Sequence, residues 1–217
     1  MDDVTTLPRG NELTIADLES MPGYGVKHAL VDGAIWISAD RKLTVADLDG
    51  LPGDELRRYE LIDGEILVTA APSDRHQAIV VNLIVLLSKT CPADARVRTA
   101  PYDVTLSEVT RLQPDVVIAR KADITPRGLP TAPLLAVEVL SRSTRHSDLV
   151  RKKKLLAEAG CPHYWIVDPG DDKRPVALTV WRLEGSEYVD DVTVVGDDSW
   201  STDKPFPVLV VPGDLVD

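Results

Sequence analysis

The stretch Leu134-Leu135-Ala136-Val137-Glu138-Val139-Leu140 constrains this chain more than any other. It is short, apolar and bounded by Pro133 and Ser141, the pattern of a strand buried on both faces. Such a strand belongs inside a layered sheet, yet Glu138 stands at its centre. A carboxylate in that position must be paired, hydrogen-bonded or bound to a metal, or its pKa rises until it neutralises. Upstream, Pro114-Asp115-Val116-Val117-Ile118-Ala119 has the same character and opens on an acid. Downstream, a basic helix is expected over residues 147–159, followed by a third apolar strand, Tyr164-Trp165-Ile166-Val167-Asp168. Strands that carry acids, beside a helix that carries lysines, make a candidate metal site.

The helix adds a positional argument. Leu149, Leu156 and Ala159, with Leu155 beside them, form its expected inward face, and Lys152 falls on that face. A lysine in an apolar stripe either snorkels to the surface or meets carboxylates, of which Asp115 and Glu138 are nearest. Arg151 and Lys154 lie off the face and read as solvated or phosphate-facing. Two or three converging acids and one lysine suit metal-dependent phosphodiester hydrolysis. Hard oxygen ligands favour Mg²⁺ or Mn²⁺, and the cation activates water and neutralises charge on the phosphate. The competing readings are structural: an ion pair between Glu138 and Lys152, and a strand-start acid at Asp115 that caps a loop. His76 opens the apolar face of a helix expected from Ser73 or Asp74 and carrying Val80, Leu83, Ile84 and Leu87. It is either a site residue or a half-buried histidine closing the first turn.

The N-terminal part carries a duplication. Residues 13–23 match residues 43–53, each opening on a threonine suited to cap a short helix that ends at Pro-Gly. Each copy continues into two strands joined by Asp-Gly, a strong hairpin signal. Aligning the hairpins sets Ala29 opposite Glu60, so the first copy lacks the acid of the second. Residues 1–42 are therefore read as a degenerate repeat packing on the core as an extra layer, and residues 43–217 as the main domain. Arg96 to Leu106 reads as a strand pair or one extended strand. Ala177–Leu183 and Tyr188–Val195 read as a hairpin, and the Pro- and Asp-rich tail as a cover for a sheet edge.

The 217 residues suffice for one well-buried domain, and 44% hydrophobic with 27% charged residues is ordinary for a globular protein. No apolar run is long enough to span a bilayer, and Met1-Asp2-Asp3 does not begin a signal peptide, so a cytoplasmic location is expected. Cys91 and Cys161 have no zinc-type spacing and read as reduced thiols. A net charge of -11 argues against non-specific coating of nucleic acid. It leaves room for local contact through the basic run from Arg142 to Lys154, which also holds Arg145, His146, Arg151, Lys152 and Lys153.

Several short motifs occur in order: Arg58-Tyr59-Glu60-Leu61-Ile62-Asp63-Gly64-Glu65, His76, Pro114-Asp115-Val116-Val117, Glu138-Val139-Leu140-Ser141, Asp148 followed by Lys152, and Ala159-Gly160 before Tyr164-Trp165-Ile166-Val167-Asp168. This series resembles the Uma-type restriction endonucleases of the PD-(D/E)xK nuclease-like superfamily, over about residues 43–210. The resemblance implies an α/β (α+β) restriction-endonuclease-like core: a mixed β-sheet flanked by helices, here with the N-terminal helix-hairpin duplication. It implies that Asp115 and Glu138 are the metal-binding acids and Glu60 an additional upstream acid that supports the metal or its water, with DNA as substrate. Departures are visible. Leu140 stands where the superfamily has its lysine, a role the resemblance moves to Lys152, while Arg142, Leu156 and His163 replace the proline, tyrosine and glutamate common in the group. The expected activity is a Mg²⁺-dependent endodeoxyribonuclease with Glu60, Asp115, Glu138, Lys152 and His76 in its site. Lys152 would position the nucleophile, and a homodimer would serve an enzyme that has to cut two strands. The alternative is a catalytically inactive nuclease-fold module that binds nucleic acid or a protein partner.

Overall fold

A computed structural model describes residues 12–21, 25–51 and 57–216. The described chain begins with α1 (Ile15–Ser20), β1 (Lys27–Val31) and β2 (Ala34–Ser38), and continues with α2 (Val45–Asp49), β3 (Arg57–Ile62) and β4 (Glu65–Ala70). Thr14 and Thr44 both cap their helices with a full capping box, each paired with the aspartate three residues on. Both hairpins turn through left-handed backbone at Asp-Gly, with φ of 49° and 79° at Asp32 and Gly33 and 51° and 84° at Asp63 and Gly64. That is the twist a two-residue hairpin requires. A Cβ on Gly64 would sit 2.7 Å from the Lys42 Cβ, so glycine is needed for space as well as for conformation. The Pro-Gly endings at 22–23 and 52–53 lie outside the described residues.

There follow α3 (Asp74–Thr90), β5 (Ala95–Thr99), β6 (Val104–Ser107), β7 (Thr110–Leu112), β8 (Val116–Arg120) and β9 (Leu135–Val139). A π-helical stretch over Ser147–Lys152 runs straight into α4 (Lys153–Glu158). The chain then forms β10 (His163–Asp168), β11 (Ala177–Glu184), β12 (Glu187–Val195), β13 (Trp200–Thr202) and β14 (Val208–Val210). Two sheets of six strands result. The first is antiparallel, in the order β1-β2-β4-β3-β7-β6; the second is mixed, in the order β12-β11-β10-β9-β8-β5, with β9 and β10 parallel. The expected buried strands Pro114–Ala119, Leu134–Leu140 and Tyr164–Asp168 are thus neighbours in one sheet.

Three expectations need correction. The N-terminal hairpin does not lie over the core as a separate layer; β2 pairs with β4 and extends the first sheet. Residues 96–106 do not pair with one another. β5 bonds β8 in the second sheet, whereas β6 bonds β7 in the first, with the cis peptide before Pro101 between them. The tail covers more than an edge: Gly213 bonds the Gly196 carbonyl just past the edge strand β12, while Phe206, Val208, Val210 and Leu215 pack with α3 against the face of the mixed sheet.

The mixed sheet is covered on both faces, which is why its central strands carry so little polarity. On one face Ile79, Leu83 and Leu87 of α3 meet Val116, Ile118, Leu135, Val137 and Trp165. On the other, Leu156 and Leu140 join Ala136, Tyr164 and Ile166 against Ile62, Leu67 and Leu112 of the first sheet. The acids and the lysine are enclosed at this junction of two sheets and a helix. Among the described residues no helix is long and apolar enough to cross a membrane.

Candidate functional site

Glu60, His76, Asp115, Glu138, Asp148 and Lys152 are all buried. Alternation along β3 sets Glu60 toward the second sheet, and Glu138 projects from the middle of β9 to the same side as Ala136 of the shared core. Asp115 closes the loop before β8. Its backbone N–H points to Glu138 Oε2 at 3.4 Å, so the two acids stand side by side on adjacent strands.

Lys152 enters from the helix. Its ammonium lies 2.8 Å from Glu60 Oε2, 3.0 Å from Glu138 Oε1 and 3.0 Å from Asp148 Oδ1. Three carboxylates surround one ammonium, which donates a hydrogen bond to Glu138, and with 1% of its side chain exposed it does not snorkel. The other Glu60 oxygen accepts the Gln113 N–H at 2.7 Å. Both oxygens of Glu60 are therefore engaged, and its position is that of an anchor for Lys152. Asp115 is held separately. Its Oδ1 accepts from Arg58 Nη1 at 2.8 Å, and its Oδ2 accepts the Val139 N–H at 2.9 Å and faces His76 Nε2 at 3.1 Å.

The electrostatics follow from burial against pairing. Burial pushes Glu138 upward, and although Lys152 opposes this, Asp148, Asp115 and Glu60 reinforce it, so its pKa stands well above the ordinary 4.5. Asp148 is raised by burial in the same way. Burial also acts on Glu60 and Asp115, but their partners prevail there: Lys152 and Arg58 hold Glu60 down, and Arg58 with the hydrogen bond to His76 holds Asp115 down. Burial lowers Lys152, yet the carboxylates around it more than offset that and raise it well above its ordinary value. Leaving His76 aside, four buried carboxylates face two permanent cations, Arg58 and Lys152. The fully ionised cluster is two positive charges short of neutral.

The group opens on a cleft of about 400 Å³ lined by Glu60, His76, Asp115, Glu138, Lys152 and Arg58, among others. All five residues expected in the site line this cleft. Two participants stood in the motif series but were given no role in the site: Arg58, two residues before Glu60 on the same strand, and Asp148, four residues before Lys152. Those spacings set each pair on one side of its element, the signal that could have found them. Ala159, expected on the inward face, is exposed at the helix C-cap. Among the described residues no group of three or more acids, histidines or cysteines is arranged around a metal position. The hard-cation donors that fit are two, Asp115 and Glu138, a number Mg²⁺ commonly takes together with substrate oxygens and waters.

The expected basic run from Arg142 to Lys154 is broken up by internal pairing. Arg142 lies 3.6 Å from Glu12, Arg145 2.9 Å from Asp168, Arg151 2.8 Å from Glu65 and Lys154 3.7 Å from Glu158. Arg151, expected to be solvated or phosphate-facing, also donates to the Ile62 carbonyl at 3.0 Å and lies over the Trp36 ring. Lys153 lies over Trp181, 3.8 Å from its centroid. These side chains hold the helix to both sheets.

A mixed sheet backed by helices, with acids and a lysine gathered beneath a cleft at its central strands, defines the restriction-endonuclease-like class of fold. The chain belongs to the Uma2 family, described as "Putative restriction endonuclease", which matches residues 45–212. A solved structure from Anabaena variabilis, described as "a putative nuclease belonging to DUF820", has a TM-score of 0.63 at 19% identity and covers 80% of this chain and 97% of that one. At that identity the likeness shows the fold. The search of curated proteins found no match.

Proposed function

We propose that the protein is a metal-dependent endonuclease that hydrolyses DNA phosphodiester bonds, with Asp115 and Glu138 holding Mg²⁺ or Mn²⁺. The observation that carries this reading is the enclosure of four carboxylates, Glu60, Asp115, Glu138 and Asp148, with two permanent cations, Arg58 and Lys152: once its acids ionise, the cluster lacks the charge of one divalent cation. Ionising the surplus acids without such a ligand costs several kcal/mol each, and a divalent cation offsets that cost. The bound cation would supply an activated water and neutralise charge on the phosphate. Lys152 keeps Glu138 oriented on the cleft and adds a cationic group beside the nucleophilic water. Glu60 and Asp148 hold Lys152, and His76 with the Val139 N–H fixes Asp115.

The test is nicking of supercoiled plasmid by the purified chain. Nicking is expected with Mg²⁺ or Mn²⁺ and is expected to stop on adding EDTA. The Asp115→Ala variant should keep its circular dichroism spectrum and lose activity; a variant that cuts as fast as wild type removes Asp115 from the chemistry. Sedimentation with and without DNA would test whether the acting species is a homodimer.

One observation favours a second reading, a catalytically inactive module that binds nucleic acid or a protein partner. Asp115 and Glu138 are already satisfied by Arg58, His76 and Lys152, as in a purely structural cluster. Calorimetry separates the two, since absence of Mn²⁺ binding together with retained DNA binding would favour the inactive module.

A further inference from the structure

Arg58 stands at the boundary of two clefts. It lines the one beneath which Lys152 lies and also a second, of about 740 Å³, which shares Asp115 and His76 with the first. The second is lined by Val80, Val81 and Ile84 of α3 and by Leu48, Gln113 and Pro101, a largely apolar wall broad enough for a nucleoside. A guanidinium has a bidentate edge at Nε and Nη2, and that edge of Arg58 is enclosed with no hydrogen-bond partner among the described residues. Among the described residues Nη1 alone is used, on Asp115 Oδ1 at 2.8 Å. Enclosed donors without partners are rare, and an absent ion or ligand is a common reason for them.

We propose that Arg58 binds a phosphate of the nucleic-acid substrate, exchanging its bond to Asp115 for that phosphate through the Nε–Nη2 edge. The proposal rests on reading the site as one that cleaves phosphodiesters. Because the Nε–Nη2 edge is enclosed, the guanidinium has to turn to present it to the cleft, and the turn breaks the one Nη1 bond to Asp115 while two form to the phosphate. Asp115 remains fixed by the Val139 N–H and His76 while its Oδ1 is released toward the first cleft. Substrate binding and cation binding thereby become coupled through one arginine: the phosphate takes the guanidinium, and the acid it leaves is freed for a metal. The adjoining apolar cleft gives the flanking nucleoside a wall to lie against.

The test uses the full chain and the variants Arg58→Gln and Arg58→Lys. Binding of a fluorescent DNA duplex is read by anisotropy with Ca²⁺ present, and binding of Mn²⁺ alone is read by calorimetry. Loss of charge-assisted bonds should weaken duplex binding of Arg58→Gln about tenfold or more. Arg58→Lys should weaken in the same direction because an ammonium has no bidentate edge. Mn²⁺ should bind Arg58→Gln as tightly as wild type or more tightly, since Asp115 no longer has a competing partner. Unchanged duplex affinity in both variants overturns the proposal. So does a loss of Mn²⁺ affinity in Arg58→Lys that matches its loss of duplex affinity, the result expected if Arg58 only orients Asp115. If Arg58→Gln does not fold, Arg58→Lys keeps a cation against Asp115 and decides the matter. Wild-type protein that binds the duplex but no Mn²⁺ removes the metal-dependent reading, and the coupling with it; wild-type protein that binds neither removes both claims together.

Discussion

Lys152 is the residue on which the site depends, because its removal would strand Glu60, Glu138 and Asp148 without a counter-charge. Lys152→Met should lower stability by about 3–5 kcal/mol, the cost of leaving buried charges uncompensated, and urea unfolding measures it. A loss below about 1 kcal/mol would mean that the acids are neutral in the folded protein. Glu138 gives a prediction about pH. Its folded pKa is raised above 4.5, so the native state binds more protons than the unfolded chain between that value and the raised one. Its contribution to stability therefore falls as pH rises through that window. A metal has to displace the same proton, so Mn²⁺ affinity should rise with pH over this range, with proton release visible as a dependence of the calorimetric heat on buffer. Glu138 and Lys152 were legible in the sequence because each interrupts an apolar pattern that otherwise explains itself. Arg58 and Asp148 were visible as members of short motifs, but their roles were not, because each lies where a charged residue needs no explanation until the fold is seen.

Among the elements, the π-helical stretch over Ser147–Lys152 matters most to the site. It brings Ser147, Asp148 and Lys152 into the interior together, and wide turns of this kind recur where helices serve a site. The sequence announced the helix but not its wide turn, since the apolar spacing of Leu149 and Leu156 is satisfied either way. Packing of α4 fixes where that turn sits. Leu156→Ala, at a position with no exposure, should cost about 2–5 kcal/mol in thermal or urea unfolding. Metal affinity should fall with it, because Lys152 loses its support one turn away. Strand β7 escaped the sequence reading for a plain reason: its three residues, Thr110 to Leu112, are too few for periodicity to register. The separation of β5 from β6 escaped because alternation predicts a strand but not which sheet receives it.

At the scale of the whole molecule, the net charge of -11 and the acids beside Arg142, Arg145, Arg151 and Lys154 offset the positive charge of the basic run. Duplex binding should accordingly depend weakly on salt. Each phosphate neutralised contributes about -0.9 to the slope of log affinity against log salt, and a slope no steeper than about -3 is expected. A slope near -6, measured by anisotropy titrations, would reveal cationic contacts outside the cleft. The order of strands within the two sheets could not be read from the chain, whereas the central apolar strands could, because only the latter have a composition that burial dictates. Lys152 takes Glu60 from the first sheet and Glu138 from the second, so one ammonium is a rivet through both layers. Whatever enters the cleft and changes that grip changes the stiffness with which the halves are clamped, and loading of the site should be felt as slower hydrogen exchange in β3 and β9 alike.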